Sequence, residues 1–596
     1  MQRNQNLFSS KILSMNNARS PSASTLLKRR PVPALAQQCL TAAGIDPVLA
    51  RIFAARSVTH PDELALSLKN LPSVDQMKGA TEAAARLAQA IEQKERIVVI
   101  ADYDVDGATA CAVALRGLSS MGGCVDFLVP NRLEHGYGLT PDIVALAAKM
   151  QPRILLTVDN GIASVDGVRA AASLDIDVII TDHHLSAAQL PEPAIIVNPN
   201  QPGCAFPSKH LAGVGVMFYV LIALRSLLRE RGVLTDAASP NLAAMLDLVA
   251  LGTVADVVPL DHINRILVDQ GLRRIRAGQA ATGVRALFEV ARRSPATAHT
   301  FDLGFAIGPR LNAAGRLADM ALGVRCLLAD DWEIALPFAQ ELDELNRARR
   351  EVEAGIQQEA LDALQQGIAS LDDYGRYTIC LAHPDWHPGV IGIVASHLKD
   401  RFHRATIVFG NASENSAENE LRGSGRSVAG LHLRDALDLI TKRAPHLIRK
   451  FGGHAMAAGL TLHENALPEF IEHFERVARE WLTSAQLDRV VETDGALGAN
   501  DFTLALAQTL REQVWGQGFP APSFDGEFIV ERQTVVGEKH SKLLLRDQNQ
   551  TFDAILFQHT DPLPQRIRAA YRLDINEYRG MQSLQLVVEH WEGAET

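Results

Sequence analysis

Asp102, Asp104 and Asp106 alternate within Asp102-Tyr-Asp-Val-Asp-Gly107, directly after a β-branched apolar run and before a small-residue stretch. Three carboxylates this close in an extended turn repel one another unless a cation neutralises them or some keep their protons. The spacing therefore points to a metal site. The same letters open an EF-hand loop, but that loop needs a helix before it and a Glu at its twelfth position. Here a strand pattern precedes it and Val113 is twelfth. Three further strand-end segments offer matching ligands: Asp159-Asn160-Gly161, Asp182-His183-His184 and Gly252-Thr-Val-Ala-Asp256. A single strand-end Asp is ordinarily a cap and an isolated His pair ordinary surface; four such motifs together reverse that reading. Carboxylates with one or two imidazoles and no thiolate favour Mn²⁺ or Mg²⁺ over structural zinc. The ligand count suits two cations, as two-metal hydrolysis of a phosphoester requires. Adjacent side chains on an extended segment point apart, so His183 and His184 are expected to divide the work, one ligating a cation and the other facing a phosphate.

Residues so far apart in sequence meet only if the fold gathers them. After a mostly helical prelude to about residue 93, short β-branched runs alternate with Ala/Leu-rich helical stretches, the signature of a parallel sheet covered by helices. The runs are Arg96–Ala101, Val125–Val129, Arg153–Val158, Val178–Thr181 and Ala194–Val197, with helices expected over 107–120, 141–149 and 163–174. In such a sheet the carboxyl ends of the strands share one crevice. A helical region continues to about 330, and Trp332–Gln366 reads as one connecting helix interrupted by Pro337 and Gly355. A second α/β unit follows from Tyr377, with strands near 377–382, 405–409 and 456–462 and an acidic loop over Ser413–Glu420. After Gln486, five β-rich segments fit a small barrel. The expected domains are an N-terminal extension (1–55), a catalytic α/β lobe (56–330), a connecting helix (331–370), a smaller α/β lobe (371–486) and the barrel (487–596).

The chain has 596 residues, 47% hydrophobic and 21% charged, with 58 Lys+Arg against 69 Asp+Glu and a net charge of −11. Such a length exceeds one core, and the apolar fraction excludes disorder for the bulk. The longest near-apolar run, Leu211–Leu224, is too short to cross a bilayer and ends at Arg225. Six scattered cysteines without a C-x-x-C pair disfavour a disulfide framework and fit a reducing, cytoplasmic setting. The first thirty residues carry six Lys/Arg and no acid, as a transit peptide would; the plainer expectation is a disordered start, with Met15 as the true initiator.

The four motifs, in this order, resemble the DHH phosphoesterase superfamily, named for Asp-His-His, here Asp182-His183-His184. Within it, the chain is similar to the single-strand-specific 5′→3′ exonucleases of bacterial recombination and repair, from about residue 60 onward. The resemblance implies a DHH lobe joined by a long helix to a smaller lobe and an OB-type barrel. It implies that Asp104, Asp106, Asp159, His183 and Asp256 ligate two divalent cations, with Asp159 bridging, Asp102 beside them, Asp182 supporting from behind and His184 on phosphate. It also implies that single-stranded DNA is threaded through a cleft between the lobes by a monomer, that a RecQ-type helicase and a single-strand-binding protein are partners, and that no membrane is involved.

For the strand itself, Gly308-Pro-Arg310-Leu-Asn312-Ala-Ala-Gly315-Arg316 combines glycines with two guanidinium forks suited to phosphate oxygens. Arg422-Gly-Ser424-Gly-Arg426 is similar, and residues 421–450 carry seven Lys/Arg against two Asp, opposite to the global charge. By resemblance Arg132, Arg316, Ser424 and Arg426 hold the 5′ end, while Phe451-Gly-Gly-His454 is a nucleotide-contacting loop. Trp386-His387-Pro-Gly389-Val-Ile-Gly392 opens a helix whose N-terminus suits phosphate. Lys539, His540, Lys542, Arg546, Tyr578 and Arg579 are the barrel's candidates. Two other functions compete: a small-substrate phosphoesterase acting on oligonucleotides, cyclic dinucleotides or pyrophosphate, which would not need the barrel, and a non-catalytic replication scaffold, which would not need the acids.

Overall fold

The structure, a computed structural model, describes residues 25–130, 138–186, 189–365, 375–411, 420–547, 550–578 and 580–594. The expected N-terminal start, Arg132, Arg579 and most of the acidic loop after Ser413 lie outside these residues. The chain divides into two compact units. One holds residues 28–352 and 492–596, the other residues 353–491 with the first 27.

A short sheet pairs β1 (Thr25–Arg29) with β12 (Arg489–Thr493). The catalytic sheet has five parallel strands, β2 (Arg96–Ala101), β3 (Cys124–Leu128), β4 (Ile154–Val158), β5 (Asp177–Thr181) and β6 (Ile195–Val197), in the order β3-β2-β4-β5-β6. The β-branched runs form central strands because both faces are covered. Ile97, Val99, Leu156 and Ile179 pack into the main core, and Val98, Ile100, Leu155 and Ile180 into a second core on the opposite face. Between β3 and β4 the strand order reverses about β2, which opens a crevice at the carboxyl ends of β2 and β4. Asp102 and Asp159 sit at those two ends.

The apolar run from Leu211 becomes the buried helix Gly213–Glu230, and among the described residues no helix is long and apolar enough to cross a membrane. The expected N-terminal extension is folded from residue 25 onward: after β1, the helices Ala34–Ala42 and Pro47–Ala54 bury Leu40, Ile52 and Phe53 in the main core. The helix Trp332–Gln365 is continuous through Pro337 and Gly355, where interruptions were expected. Pro337 stands only in the second turn, so the single bond its missing N–H forfeits lies near the helix start.

The same unit carries a closed barrel in the order β13-β14-β15-β17-β16, from β13 (Phe524–Val536), β14 (His540–Asp547), β15 (Gln550–Leu556), β16 (Arg566–Tyr578) and β17 (Met581–Gly593). The segment that leads into it is riveted to the prelude helix Pro47–Ala54 and to the helix His262–Arg276. Arg56 donates to both oxygens of the buried Asp494 at 2.7 and 3.0 Å, Trp515 and Phe519 stack on Phe53 at 6.0 and 6.3 Å, and Arg265 lies over the Phe519 ring at 4.2 Å.

In the other unit, β7 (Thr378–Ala382), β8 (Ala405–Asn411), β9 (Glu420–Arg426), β10 (Lys450–Gly453) and β11 (Ala457–His463) form a mixed sheet ordered β10-β11-β9-β8-β7. Phe409, Phe470 and Phe474 lie in its core.

Candidate metal centre

Asp102 follows the end of β2, Asp104 caps the helix Val105–Ser120 by accepting from Gly107 N at 3.0 Å, and Asp106 points back from that helix's first turn. Asp106 is fully buried and accepts from the amides of Gly213 and Val214 at 2.6 and 2.9 Å. Asp159 follows β4 with a left-handed backbone, φ 62°. Asp182 follows β5. Asp256 follows the helix Leu246–Ala255 and not a strand, which corrects its expected placement. The run Leu248–Leu251 is apolar because that helix is buried on all sides. Val257 behind it, β-branched with φ 63°, holds a strained conformation beside the site.

The side chains converge. His183 Nε2 lies 3.1 Å from Asp159 Oδ1, 3.4 Å from Asp256 Oδ2 and 3.9 Å from Asp106 Oδ2. His184 Nδ1 lies 2.8 Å from Asp182 Oδ1 and 3.9 Å from Asp159 Oδ1. The two rings, 4.6 Å apart, do not point to opposite sides. The alternation expected for an extended segment fails because the strand ends at Thr181 and the chain turns: the amides of His183 and His184 both donate to Asp182 Oδ1, at 2.7 and 3.0 Å.

The electrostatics are those of crowded acids. Burial, then the charge of Asp104, raises the Asp102 carboxyl well above the usual range. Burial and Asp104 likewise push Asp106 up to about 7 against its two amide donors. Asp159 and Asp256 are raised by burial and then by Asp106 and the other acids. Asp182 goes the other way: burial would raise it, but His184, His183 and the Ile162 amide hold it below the usual range. Burial opposes the charged His184 ring, yet Asp182, Asp102 and Asp104 prevail and push it up to about 9.

This donor set fits divalent cations. Asp159–His183–His184, Asp106–His183–Asp256 and Asp102–Asp104–Asp159 each bring their ligand atoms within 4.8 Å of one another. Oxygen and imidazole donors without thiolate suit Mn²⁺ or Mg²⁺, and a cation would relieve the repulsion that otherwise retains protons.

Several contributors carried no readable signal in the sequence. A Cβ on Gly213 would stand 2.8 Å from Asp159 Oδ1 and 3.0 Å from Asp106 Oδ2, and one on Gly315 would stand 1.9 Å from the Tyr103 carbonyl oxygen. Asn198 and Asn200 donate to the main-chain oxygens of His184 and His183 at 2.9 and 2.6 Å.

The expected DNA-contacting residues divide. Asn312 and Arg316 lie half-buried on the helix Gly308–Leu317, whose Gly315 abuts the first acidic motif. Arg310 departs from its expected role on phosphate. It is buried, with Nε and Nη2 on Asp343 at 3.0 and 2.9 Å and Nη1 on the Ala306 carbonyl at 2.6 Å, so its fork is filled by the protein. In the other unit, Ser424 and Arg426 meet beside Gly392, where a Cβ would stand 2.8 Å from Ser424 Oγ and 3.0 Å from Arg426 Nη2. His454 lies at the β10–β11 turn, its amide donating to the Ala457 carbonyl. On the barrel, Lys542 faces Asp553 at 3.8 Å and Arg546 faces Glu531 at 2.5 Å.

Three sequence-family models match the chain: the DHH family N-terminal domain over residues 96–253, the DHHA1 domain over 375–480 and the RecJ OB domain over 493–590. The single-stranded-DNA-specific exonuclease RecJ of Dickeya dadantii is 48% identical over 577 residues, 95% of this chain and 99% of that relative. The chain belongs to the RecJ family. The RecJ of Escherichia coli is 46% identical over 92% of this chain and 96% of its own length. Among solved structures, RecJ from Thermus thermophilus in complex with Mn²⁺ superposes with a TM-score of 0.80 at 28% identity, over 96% of this chain and 80% of that one. The corresponding Mg²⁺ complex gives 0.74 at 27% identity, over 96% and 79%. The RecJ family thus shares this chain's architecture: a parallel-sheet DHH core, a second α/β lobe and a C-terminal barrel of OB type.

Proposed function

We propose that the chain is a metal-dependent exonuclease that degrades single-stranded DNA from its 5′ end to 5′ mononucleotides, in recombination and repair. The observation that carries this reading is the convergence of four sequence motifs on one buried cluster, with His183 within 4 Å of Asp106, Asp159 and Asp256. The relatives are named for this activity over nearly their whole length.

In this reading Asp104, Asp106, Asp159, His183 and Asp256 would hold two cations, Mn²⁺ or Mg²⁺, and family resemblance gives Asp159 the ligand role shared by both. When bound, the cations polarise the attacking water and offset the charge that develops on the phosphate. The chain's own residues do the positioning. Asp106 is fixed by two amides, so its carboxylate cannot swing away. Asp182 accepts from His184 Nδ1 and favours the protonated ring, in which Nε2–H is left to donate to a phosphate oxygen. Asp102, also buried, adds negative charge that favours cations over protons as pH rises. Arg316 offers the strand's phosphate a guanidinium from the catalytic unit. Ser424 and Arg426, in the other unit, are assigned to the 5′ end, which sets polarity. His454 and Asn312 are further contacts to the nucleotide. Arg132 is assigned to the 5′ end by family resemblance alone. Arg310 is assigned to holding Asp343.

A helicase of RecQ type and a single-strand-binding protein are the proposed partners, since single strands must be exposed and kept open for such an enzyme. The cytoplasm is the proposed setting, as fits six cysteines that are all free thiols.

The deciding experiment follows Mn²⁺-dependent release of label from 5′-labelled single-stranded DNA, beside a 3′-labelled copy and the same strand in a blunt duplex. Immediate loss of the 5′ label as mononucleotide, with the duplex spared, is the expected result. Intact long strands with hydrolysis of di- to tetranucleotides would replace it with a small-substrate phosphoesterase. In the same assay Arg426→Ala raises KM without weakening metal binding.

A further inference from the structure

Phe301 and Phe305 belong to none of this machinery. They stand four residues apart at the start and middle of the π-helical turn Asp302–Ile307. Their rings stack at 4.8 Å with planes 23° apart, while 48% and 67% of their surfaces face solvent. The turn does not need them for its own packing, because Leu303, Ala306 and Ile307 already bury its other face. Single-turn π segments recur at functional sites, and two adjoining aromatic rings left in water are an unusual use of apolar surface.

The turn is held stiff and close to the cluster. Buried Asp302 accepts from the His299 amide at 3.1 Å and pairs with its ring, and Arg293 Nε lies 3.7 Å from the other oxygen. A Cβ on Gly304 would meet Val254 at 3.4 Å, and one on Gly308 would meet Ala255 at 3.3 Å, so the turn lies along the helix that delivers Asp256. It then runs into the helix whose Gly315 abuts Tyr103 in the first acidic motif. On another flank, Arg292, Arg310, Arg347 and Arg350 surround Asp343 in a cavity of about 290 Å³. Within this cavity four guanidiniums stand against one carboxylate, with Glu289 and Glu344 beyond its edge.

From this geometry we propose that Phe301 and Phe305 form a stacking platform for a nucleobase of the single-stranded substrate beyond the two that flank the scissile bond. The inference rests on the exonuclease reading above and adds to it the place where the strand is gripped by its bases. A stacked aromatic pair on a turn whose Asp302 and Ala306 meet the guanidiniums of Arg293 and Arg310 suits a ligand that is planar and anionic together, as an unpaired nucleotide is. A base inside a duplex has no free face to offer, so the platform also selects for single strands.

The test compares the full chain with Phe301→Ala/Phe305→Ala and with Phe305→Trp, after melting curves confirm folding. Substrates are a long 5′-phosphorylated oligonucleotide, copies with one abasic site moved along it, and a dinucleotide too short to reach the platform. The alanine pair is expected to raise KM for the long strand roughly five- to hundredfold and to leave dinucleotide turnover unchanged. In the unaltered chain an abasic site weakens binding at one or two positions, and in the alanine pair that sensitivity disappears. Equal KM for the long strand, or abasic sensitivity that persists, overturns the platform. Should the alanine pair not fold, Phe305→Trp decides alone: quenching of the added indole by the intact strand but not by the abasic copy supports stacking, and equal quenching overturns it. If the unaltered chain neither binds nor degrades long strands, the exonuclease reading fails and the platform with it; loss confined to the variants separates the two.

Discussion

The Asp182 carboxylate holds the His184 imidazole at 2.8 Å and receives three main-chain amides as well, from His183, His184 and Ile162. One buried acid therefore shapes the turn and orients the ring together. Asp182→Asn keeps the size but loses the charge and one acceptor. Turnover is expected to fall roughly 10- to 100-fold, the usual cost of removing a group that orients a ligand. The His184 titration, read by NMR in the metal-free protein, should move down from about 9. An unmoved titration would show that Asp182 only shapes the turn.

The raised carboxyls give metal binding a definite pH dependence. Asp106 titrates near 7, and Asp102, Asp159 and Asp256 are also raised. In the metal-free fold these groups hold protons that the unfolded chain has lost, so their contribution to stability declines as pH rises above about 4, that of Asp106 through about 7. Cations displace those protons. Mn²⁺ affinity should therefore increase across the same window, with proton release visible by calorimetry in buffers of different ionisation enthalpy. Asp256→Asn should raise the Tm of the metal-free protein at pH 8 while abolishing its rise on adding Mn²⁺.

Gly213 has no room for a side chain because the Asp159 and Asp106 carboxylates fill that space. Gly213→Ala is expected to displace a ligand and cut activity by at least ~10-fold, with Mn²⁺ affinity falling in parallel. Gly355 in the long helix, where a Cβ meets nothing within 4 Å, is the control: Gly355→Ala should stabilise by about 0.5–1 kcal/mol and leave activity alone.

What could be read from the sequence follows from how local each signal is. The parallel strands were legible because both faces of Arg96–Ala101 and Ile154–Val158 are buried, which forces continuous β-branched runs, and Asp102 and Asp159 were legible because they end those runs. The barrel strands were legible by the β-rich composition of the segments after Gln486. Asp256 was found by type but misplaced at a strand end, since a wholly buried helix such as Leu246–Ala255 has no polar face to betray its period. Gly213, Asn198 and Asn200 were missed because their roles exist only once distant segments have packed. Arg310 misled for the same reason: its partner, Asp343, lies 33 positions away on another helix.

Arg310 and Arg316, six residues apart, should therefore fail differently. Removing Arg310 leaves Asp343 to Arg347 alone and strips the Ala306 carbonyl of its donor, so Arg310→Ala should lower Tm and impair every substrate alike. Lysine should not rescue it, because a single ammonium cannot replace a fork that spans Asp343 and the Ala306 carbonyl. Arg316→Ala should leave Tm near its normal value and raise KM for 5′-phosphorylated strands more than for 5′-hydroxyl ones.

The barrel's attachment gives the last expectation. Phe519 stacks with Phe53 and Trp515 and lies beneath Arg265, so it ties the C-terminal segment to the catalytic unit through a patch outside the metal cluster. Phe519→Ala removes a buried ring and should cost about 3–5 kcal/mol. The loss should appear as faster hydrogen exchange in residues 494–523 and in the two prelude helices, with the strands of the parallel sheet protected as before. Because the acids and histidines do not touch this patch, dinucleotide hydrolysis should persist at temperatures where the variant stays folded, while KM for long strands rises as the barrel loosens. Equal loss on both substrates would mean that the joint supports the metal cluster itself.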